Sequence, residues 1–148
     1  MYTIVMDKYK NLNTTVRATI FKGENLASKI QFLVPPKFDG NMGRTVVDPE
    51  TGESTIIQDG VIDITNYTVT LKYLDPNGNY HGEILARDEE TYKDYYRYTL
   101  PVDTKITQVA GNLTVRLTFT YFDAVNNTLE KMESNSTTIR IDKPQGFD

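Results

Sequence analysis

Two alternating stretches decide the fold: Tyr67-Thr68-Val69-Thr70-Leu71-Lys72-Tyr73 and Leu113-Thr114-Val115-Arg116-Leu117-Thr118-Phe119-Thr120-Tyr121. A period of two places the apolar side chains of a strand on one face, so both runs predict half-buried antiparallel strands. We expect the apolar members of both runs to share the core: Val69, Leu71, Tyr73, Leu113, Val115, Leu117 and Phe119.

Further strands are predicted on both sides of these two runs, over residues 1–6, 14–21, 29–34, 55–65, 80–86 and 128–142. Between the two runs, Tyr98-Thr99-Leu100-Pro101 ends a strand, and residues 103–111 predict a short helical turn with Thr104 as its N-cap and Gly111 after its last turn. This succession is typical of an all-β, immunoglobulin-like antiparallel β-sandwich, and we expect a single domain over residues 1–148.

A segment at about residues 35–54 interrupts the regular strand spacing with four turn dipeptides. We expect a projecting loop or hairpin there, the hairpin using 44–48 and 54–58 as its strands, because long structureless loops are uncommon without a function. A mobile surface loop is the alternative. The segment carries side chains that we interpret as partner contacts: Phe38, Met42, Arg44, Val46 and Val47.

Composition excludes several classes of function. The chain has 16 Lys and Arg against 20 Asp and Glu, a net charge of −4 with no basic run, which argues against binding to nucleic acid or to an anionic membrane. It has no cysteine, hence no disulfide, thiolate nucleophile or thiolate zinc site. Residues 1–8 lack the apolar core of a signal peptide, so we expect synthesis in a cytoplasm.

Groups with catalytic or metal-binding chemistry are sparse in the sequence. The single histidine, His81, follows a predicted hairpin turn at 75–79. That turn imitates the start of a calcium loop, but the sixth and twelfth positions hold Tyr80 and Ala86 instead of glycine and glutamate. The acidic run Asp88-Glu89-Glu90 reads as a charged connector. We therefore predict no enzyme activity, no metal and no cofactor.

The tyrosines between Tyr92 and Tyr98 form the densest aromatic cluster. Tyrosine offers a large contact area with little side-chain entropy to lose, so Tyr92, Tyr95 and Tyr96 are candidates for a ligand or partner surface. On a strand, Tyr96 and Tyr98 share one face and Tyr95 lies on the other, so about half of the cluster is expected to pack in the core. A carbohydrate-binding adhesion module is the alternative function that this cluster suggests, although the chain has no tryptophan.

Three segments together resemble the N-terminal immunoglobulin-like domain of the baseplate upper protein of tailed phages of Gram-positive hosts: 14–24 after a leading strand, 61–78 with its Pro-Asn-Gly turn, and 98–119. The segment 35–54 is longer than that pattern has between its early strands. The baseplate protein also carries a helical, receptor-facing extension after the sandwich. The resemblance of the three segments favours a location in the baseplate. The helical extension, which the baseplate protein has and this sequence does not show, favours a place on the capsid instead.

The resemblance implies a non-enzymatic bacteriophage virion structural protein, with no catalytic residues. Its β-sandwich would dock to other virion proteins, at the baseplate or tail tip, or as a capsid decoration or fibre anchor. The implied localisation is the virion, and the implied partners are other virion subunits, with an oligomer in the assembled particle.

Overall fold

A computed structural model describes residues 1–25, 29–103 and 105–144. Apart from a short 3₁₀ helix at Gly40–Met42, the regular structure of these residues is β. In chain order the strands are β1 (Tyr2–Met6), β2 (Leu12–Val16), β3 (Ile20–Phe21), β4 (Lys29–Val34), β5 (Lys37–Asp39), β6 (Arg44–Val47), β7 (Ser54–Ile57), β8 (Val61–Asp63), β9 (Thr68–Leu74), β10 (Tyr80–Ile84), β11 (Ala86–Arg87), β12 (Tyr96–Pro101), β13 (Gly111–Asp123), β14 (Thr128–Glu133) and β15 (Thr137–Asp142).

The strands form two large sheets and one small one. The first sheet has the order β11-β12-β4-β1-β2. The second, with eight strands, runs β10-β9-β13-β14-β6-β7, and β15 lies between β13 and β3. The small sheet pairs β5 with β8. The predicted all-β sandwich is confirmed, but its sheets are mixed, because β1 pairs in parallel with β4 and β15 in parallel with β3. Each parallel pair is separated in sequence by other elements, which supply the crossover that parallel pairing requires.

The core lies between the two large sheets and is built from the alternating faces read in the sequence. Leu117 lies opposite Leu71, and Phe119 opposite Val69, in the antiparallel β9–β13 pair. The seven apolar side chains expected in the core are all buried. From the first sheet, the strands β1 and β4 contribute the inward side chains Tyr2, Ile4, Met6, Ile30, Phe32 and Val34.

The predicted helical turn at 103–111 is a single hydrogen-bonded turn. The Thr107 N–H donates to the Asp103 carbonyl at 3.1 Å. The Asp103 carboxylate accepts from the backbone N–H groups of Lys105 and Ile106, at 3.0 and 3.3 Å, and thus caps the turn. Thr104, predicted as the cap, lies outside the described residues. Gly111 begins β13 with a φ of 133°.

The 35–54 segment forms the predicted hairpin, and the hairpin extends the second sheet at its edge. β6 pairs with β7 on one side and with β14 on the other. Phe38, interpreted from the sequence as a partner contact, is a core residue that is 5% exposed, with its ring 6.5 Å from that of Phe119 in an edge-to-face arrangement. The reason is the pairing of β5 with β8, which sets Phe38 opposite the buried Ile62.

Candidate functional site

The outer edge of the second sheet is formed by β7, whose sequence Ser54-Thr55-Ile56-Ile57 holds no charged residue. No strand pairs with its outer side within the described ranges. The hairpin loop that precedes it is closed by two backbone bonds, from the Asp48 N–H to the Glu53 carbonyl at 2.8 Å and from the Gly52 N–H to the Asp48 carbonyl at 2.7 Å. A φ of 75° at Gly52 makes this closure possible.

The closing bond fixes which backbone groups of β7 face outward. Antiparallel partners alternate between pairs that are hydrogen-bonded to each other and pairs that are not. Since Asp48 bonds to Glu53, the backbone groups of Thr55 and Ile57 face β6, and those of Ser54 and Ile56 point away from it. The Ile56 side chain is itself 70% exposed. The β7 edge thus offers outward donors and acceptors beside an exposed apolar side chain.

The other sheet edges carry features that discourage pairing with a further strand. β10 places the charged Glu83 opposite core Leu71 and has Gly82 in its middle. The pairing of β2 with β1 is irregular at Thr3. β3 and β11 have only two residues each. Inward charges, irregular pairing and short length are the devices that protect natural edges. β7 is short at four residues, but it has neither of the other two protections.

A groove of about 590 Å³ lies along the β6–β7 hairpin and brings together predicted contact residues Met42 and Val47. Lys10 enters it, and its Nζ donates to the carbonyls of Met42 and Gly43, at 3.1 and 3.5 Å. Burial lowers the pKa of Lys10, partly offset by the negative charge of Glu133. The groove therefore has a mixed lining, in which apolar side chains such as Met42, Val47 and Ile56 lie beside polar and charged ones, and its Lys10 is already held by backbone carbonyls.

Arg44, another predicted contact residue, joins strands within the protein. Its Nε lies 3.5 Å from Glu130 Oε1, and its guanidinium donates to the Asp59 carbonyl at 3.2 Å. The Tyr67 hydroxyl donates to Glu130 Oε2 at 2.5 Å, and the Tyr67 ring stacks on Tyr121. Burial and then the Glu130 carboxylate raise the pKa of Tyr67, because a phenolate there would be poorly solvated and repelled. Arg44 thus stabilises the attachment of β6 to β14.

The predicted tyrosine cluster is divided by the structure among three environments. Tyr98 is a core residue at 2% exposure. Tyr96 is half-buried on the same face of β12, as expected from the period, where its ring lies 4.4 Å below the Arg87 guanidinium and its hydroxyl is 2.8 Å from Thr65 Oγ1. Tyr92 and Tyr95 lie together, away from the other two.

The segment from Tyr92 to Tyr95 is a tight turn over the outer face of the first sheet. The backbones of Tyr92 and Tyr95 exchange two hydrogen bonds of 2.9 Å. Lys93 and Asp94 between them have φ values of 47° and 69°, the left-handed pair that a two-residue type I′ turn requires. The two rings border a pocket of about 280 Å³ with walls from β1, β2 and β4: Thr3, Val5, Thr15, Val16, Gln31 and Leu33. We call this the tyrosine pocket.

The remaining candidate groups are engaged in local structure. His81 Nε2 lies 2.8 Å from Asp75 Oδ2, and its ring stacks on Tyr73. The hydrogen bond from His81 lowers the pKa of Asp75, whose other oxygen accepts backbone N–H groups within the hairpin turn. Asp88 pairs with Arg97 at 2.6 Å. Among the described residues, no three acidic or histidine side chains are grouped to hold a metal ion.

Two further findings complete the description. No helix in the described part of the chain has the length and apolar character needed to cross a membrane. No family model matches the chain, and no curated protein is similar enough to be counted as a relative.

Proposed function

We propose that the chain is a non-enzymatic structural module of a bacteriophage virion, which docks to another virion protein through the outer edge of β7. The observation that carries the docking is the uncharged, unpaired edge of β7 with Ile56 exposed on it. The virion assignment is supported by the sequence resemblance to a phage baseplate sandwich domain. Such a module is compatible with two locations: the baseplate or tail tip, and the capsid, where it would serve as a decoration or fibre anchor.

The docking mode is strand addition, in which an extended segment of the partner extends the second sheet beyond β7. Main-chain hydrogen bonds to Ser54 and Ile56 supply affinity, and pockets for alternate side chains supply selectivity. The groove beside the hairpin, with Val47, Ile56 and Met42 in its walls, can receive apolar side chains of the partner strand. Strand β6 lies inside the sheet, between β14 and β7, so the strand that is available to a partner is β7, Ser54–Ile57.

The proposal that the chain is not an enzyme is supported by its polar groups, because those already described are bound to other groups of the protein. Asp75 is bound within its own turn and to His81, while Asp88 is bound to Arg97. A catalytic carboxylate pair needs two groups facing each other across a cleft. Other described acidic residues occupy turns, ion pairs or exposed positions, and Glu83 is an exception, since it is half-buried on β10 and its Oε1 has no hydrogen-bond partner among the described residues.

The test places a charge on the β7 edge and follows assembly. Ile56→Lys puts a charged side chain on this edge, a substitution that natural edges use against pairing. Ile84→Lys is the matched control, since Ile84 is 75% exposed on the opposite edge strand, β10. Particles are assembled in cells that supply only the variant chain, and its copy number per particle is measured. We expect incorporation of Ile56→Lys to fall about tenfold or more, with normal incorporation of Ile84→Lys and equal unfolding temperatures.

A second variant tests the register. Ile56→Pro removes an outward N–H without removing a bond to β6, whereas Thr55→Pro removes an inward one. Ile56→Pro should therefore fold and fail to incorporate, and Thr55→Pro should unfold at a lower temperature. Normal incorporation of both Ile56 variants would show that the chain docks through another surface.

A further inference from the structure

The tyrosine pocket is formed before any ligand arrives. Its turn is held by the two Tyr92–Tyr95 backbone bonds and by the left-handed conformations of Lys93 and Asp94. Beneath the turn, Leu33 is only 4% exposed although its side chain lies on the face of β4 that is turned away from the core. The backbone that carries the two rings is thus held in place over the apolar side chain of Leu33, so a ligand would not have to pay for ordering the turn.

The pocket also has polar groups in defined positions. Gln31 Nε2 donates to Thr3 Oγ1 at 2.9 Å, and the Thr3 hydroxyl donates to the Met1 carbonyl at 3.2 Å. This chain of bonds orients the Gln31 amide, whose oxygen accepts no hydrogen bond from any residue that the structure describes. The Thr15 hydroxyl donates to the Thr3 carbonyl at 3.5 Å, a long contact that a better acceptor can replace.

Packing alone does not account for this arrangement. A tyrosine whose role is to fill the core is enclosed, as Tyr98 is. Tyr92 remains 41% exposed and Tyr95 is half-buried, and both border the open space of the pocket. Aromatic rings on a preformed turn, beside oriented amide and hydroxyl groups, are complementary to a ligand that has both an apolar face and hydroxyls.

We propose that the tyrosine pocket binds one pyranose ring of a carbohydrate. A pyranose presents C–H groups on one face, which stack on aromatic rings, and hydroxyls at its rim, which the Gln31 amide and the Thr15 hydroxyl can bind. Pockets for drug-sized ligands measure about 300–1,000 Å³. The volume of about 280 Å³ therefore suits a single ring, with the rest of a glycan extending into solvent. The site lies on the first sheet and the β7 edge on the second, so this activity is separate from docking.

The experiment titrates the purified chain with the methyl glycosides of glucose, galactose, N-acetylglucosamine and rhamnose, with chemical-shift changes as the readout. Cyclohexanol at the same concentrations serves as an apolar ring without the hydroxyl pattern. We expect saturable binding of at least one glycoside in the millimolar range, the affinity of a small open site, with shifts centred on Gln31, Leu33 and Tyr95.

Variants then locate the site. Tyr92→Ala should weaken binding about tenfold or more, and Tyr92→Leu, which keeps an apolar side chain on the turn, should weaken it similarly because stacking on an aromatic face is lost. Tyr9→Ala is the matched control, since Tyr9 is also exposed and also has a neighbouring lysine over its ring, Lys8. The proposal is overturned if no glycoside binds saturably, if cyclohexanol binds equally well, or if Tyr9→Ala weakens binding as much as the Tyr92 variants.

Discussion

The Ser134 hydroxyl accepts the backbone N–H of Leu117 at 2.9 Å, while the Ser134 N–H donates to the Leu117 carbonyl at 2.9 Å. This exchange occurs where the chain passes from β14 to β15 along the same edge of β13. A side-chain oxygen thus takes the place of a backbone acceptor in the ladder. One long strand can therefore pair with two successive strands without leaving a buried N–H unsatisfied at the junction.

Ser134→Ala removes that acceptor and should destabilise the protein by about 1–3 kcal/mol, the usual cost of a buried donor without a partner. Denaturant unfolding of the purified chain measures the change. Ser136→Ala, at an exposed position two residues further on, should change stability by less than about 0.5 kcal/mol. Equal effects of the two substitutions would mean that the Leu117 N–H finds another partner.

Phe38→Ala tests whether this side chain is a core residue or a contact surface. Removal of a buried phenylalanine that packs against Phe119 should cost about 3–5 kcal/mol of unfolding free energy. Val61→Ala, an exposed position in the same small sheet, is the control. A cost below about 1 kcal/mol for Phe38→Ala would restore the interpretation of Phe38 as a free contact residue.

Gly40→Ala should be poorly tolerated for a geometric reason. A Cβ atom at this position would lie 2.0 Å from the Asp59 carbonyl oxygen, and the Gly40 N–H donates to the Gly60 carbonyl at 2.9 Å. Backbone atoms cannot move aside as a flexible side chain can, so we expect a loss of about 1–3 kcal/mol or more. Gly82→Ala is the control, because its Cβ would meet only side-chain atoms of Lys72 and Thr70 at 3.5 Å or beyond. The melting temperatures of both variants are measured by thermal unfolding. Similar values would show that the backbone at Gly40 and the backbone at Asp59 and Gly60 can move apart to make room for a Cβ atom.

The sequence predicts the parts of the fold that depend on local alternation. β4 begins and ends at the predicted residues, and the β9 and β13 core faces are those expected, because burial of one face requires a strict period of two. The segment 14–21 follows the same pattern but forms two short strands with Val16 and Ala18 exposed. Alternation alone does not say whether another layer of the protein packs on the apolar face of a strand.

The candidate sites depend on strand order, which a single sequence does not encode. The run Ser54-Thr55-Ile56-Ile57 is visibly β-branched and uncharged, but its place at an edge follows from the pairing of β6 with β14, whose residues lie about eighty positions apart. The tyrosine pocket likewise combines the 92–95 turn with β1 and β4. The sequence marks the tyrosines as candidates, but nothing in the local sequence around Gln31 or Leu33 marks these two residues.

The edge strand β10 carries a carboxylate that should make stability depend on pH. Glu83 faces the core side opposite Leu71, and its Oε1 is buried without a hydrogen-bond partner among the described residues. Burial, then the negative charge of Asp103, raises the pKa of Glu83 above its ordinary value of 4.5, with Lys105 and His81 acting in the opposite direction. A raised folded-state pKa means that the folded protein holds this proton more tightly than the unfolded chain does. The resulting stabilisation is fully present below the unfolded-state pKa and is lost as the pH rises through the folded-state pKa.

Glu83→Gln keeps the shape of the side chain without its ionisation. The melting temperature of this variant should therefore match that of the unsubstituted protein to within about 1 °C at about pH 3.5 and exceed it clearly at about pH 7.5. Glu53→Gln, on an exposed residue beside β7, controls for net charge and should show no such divergence. A difference between Glu83→Gln and the unsubstituted protein that stays constant over this pH range would show that Glu83 is solvated like an ordinary surface carboxylate.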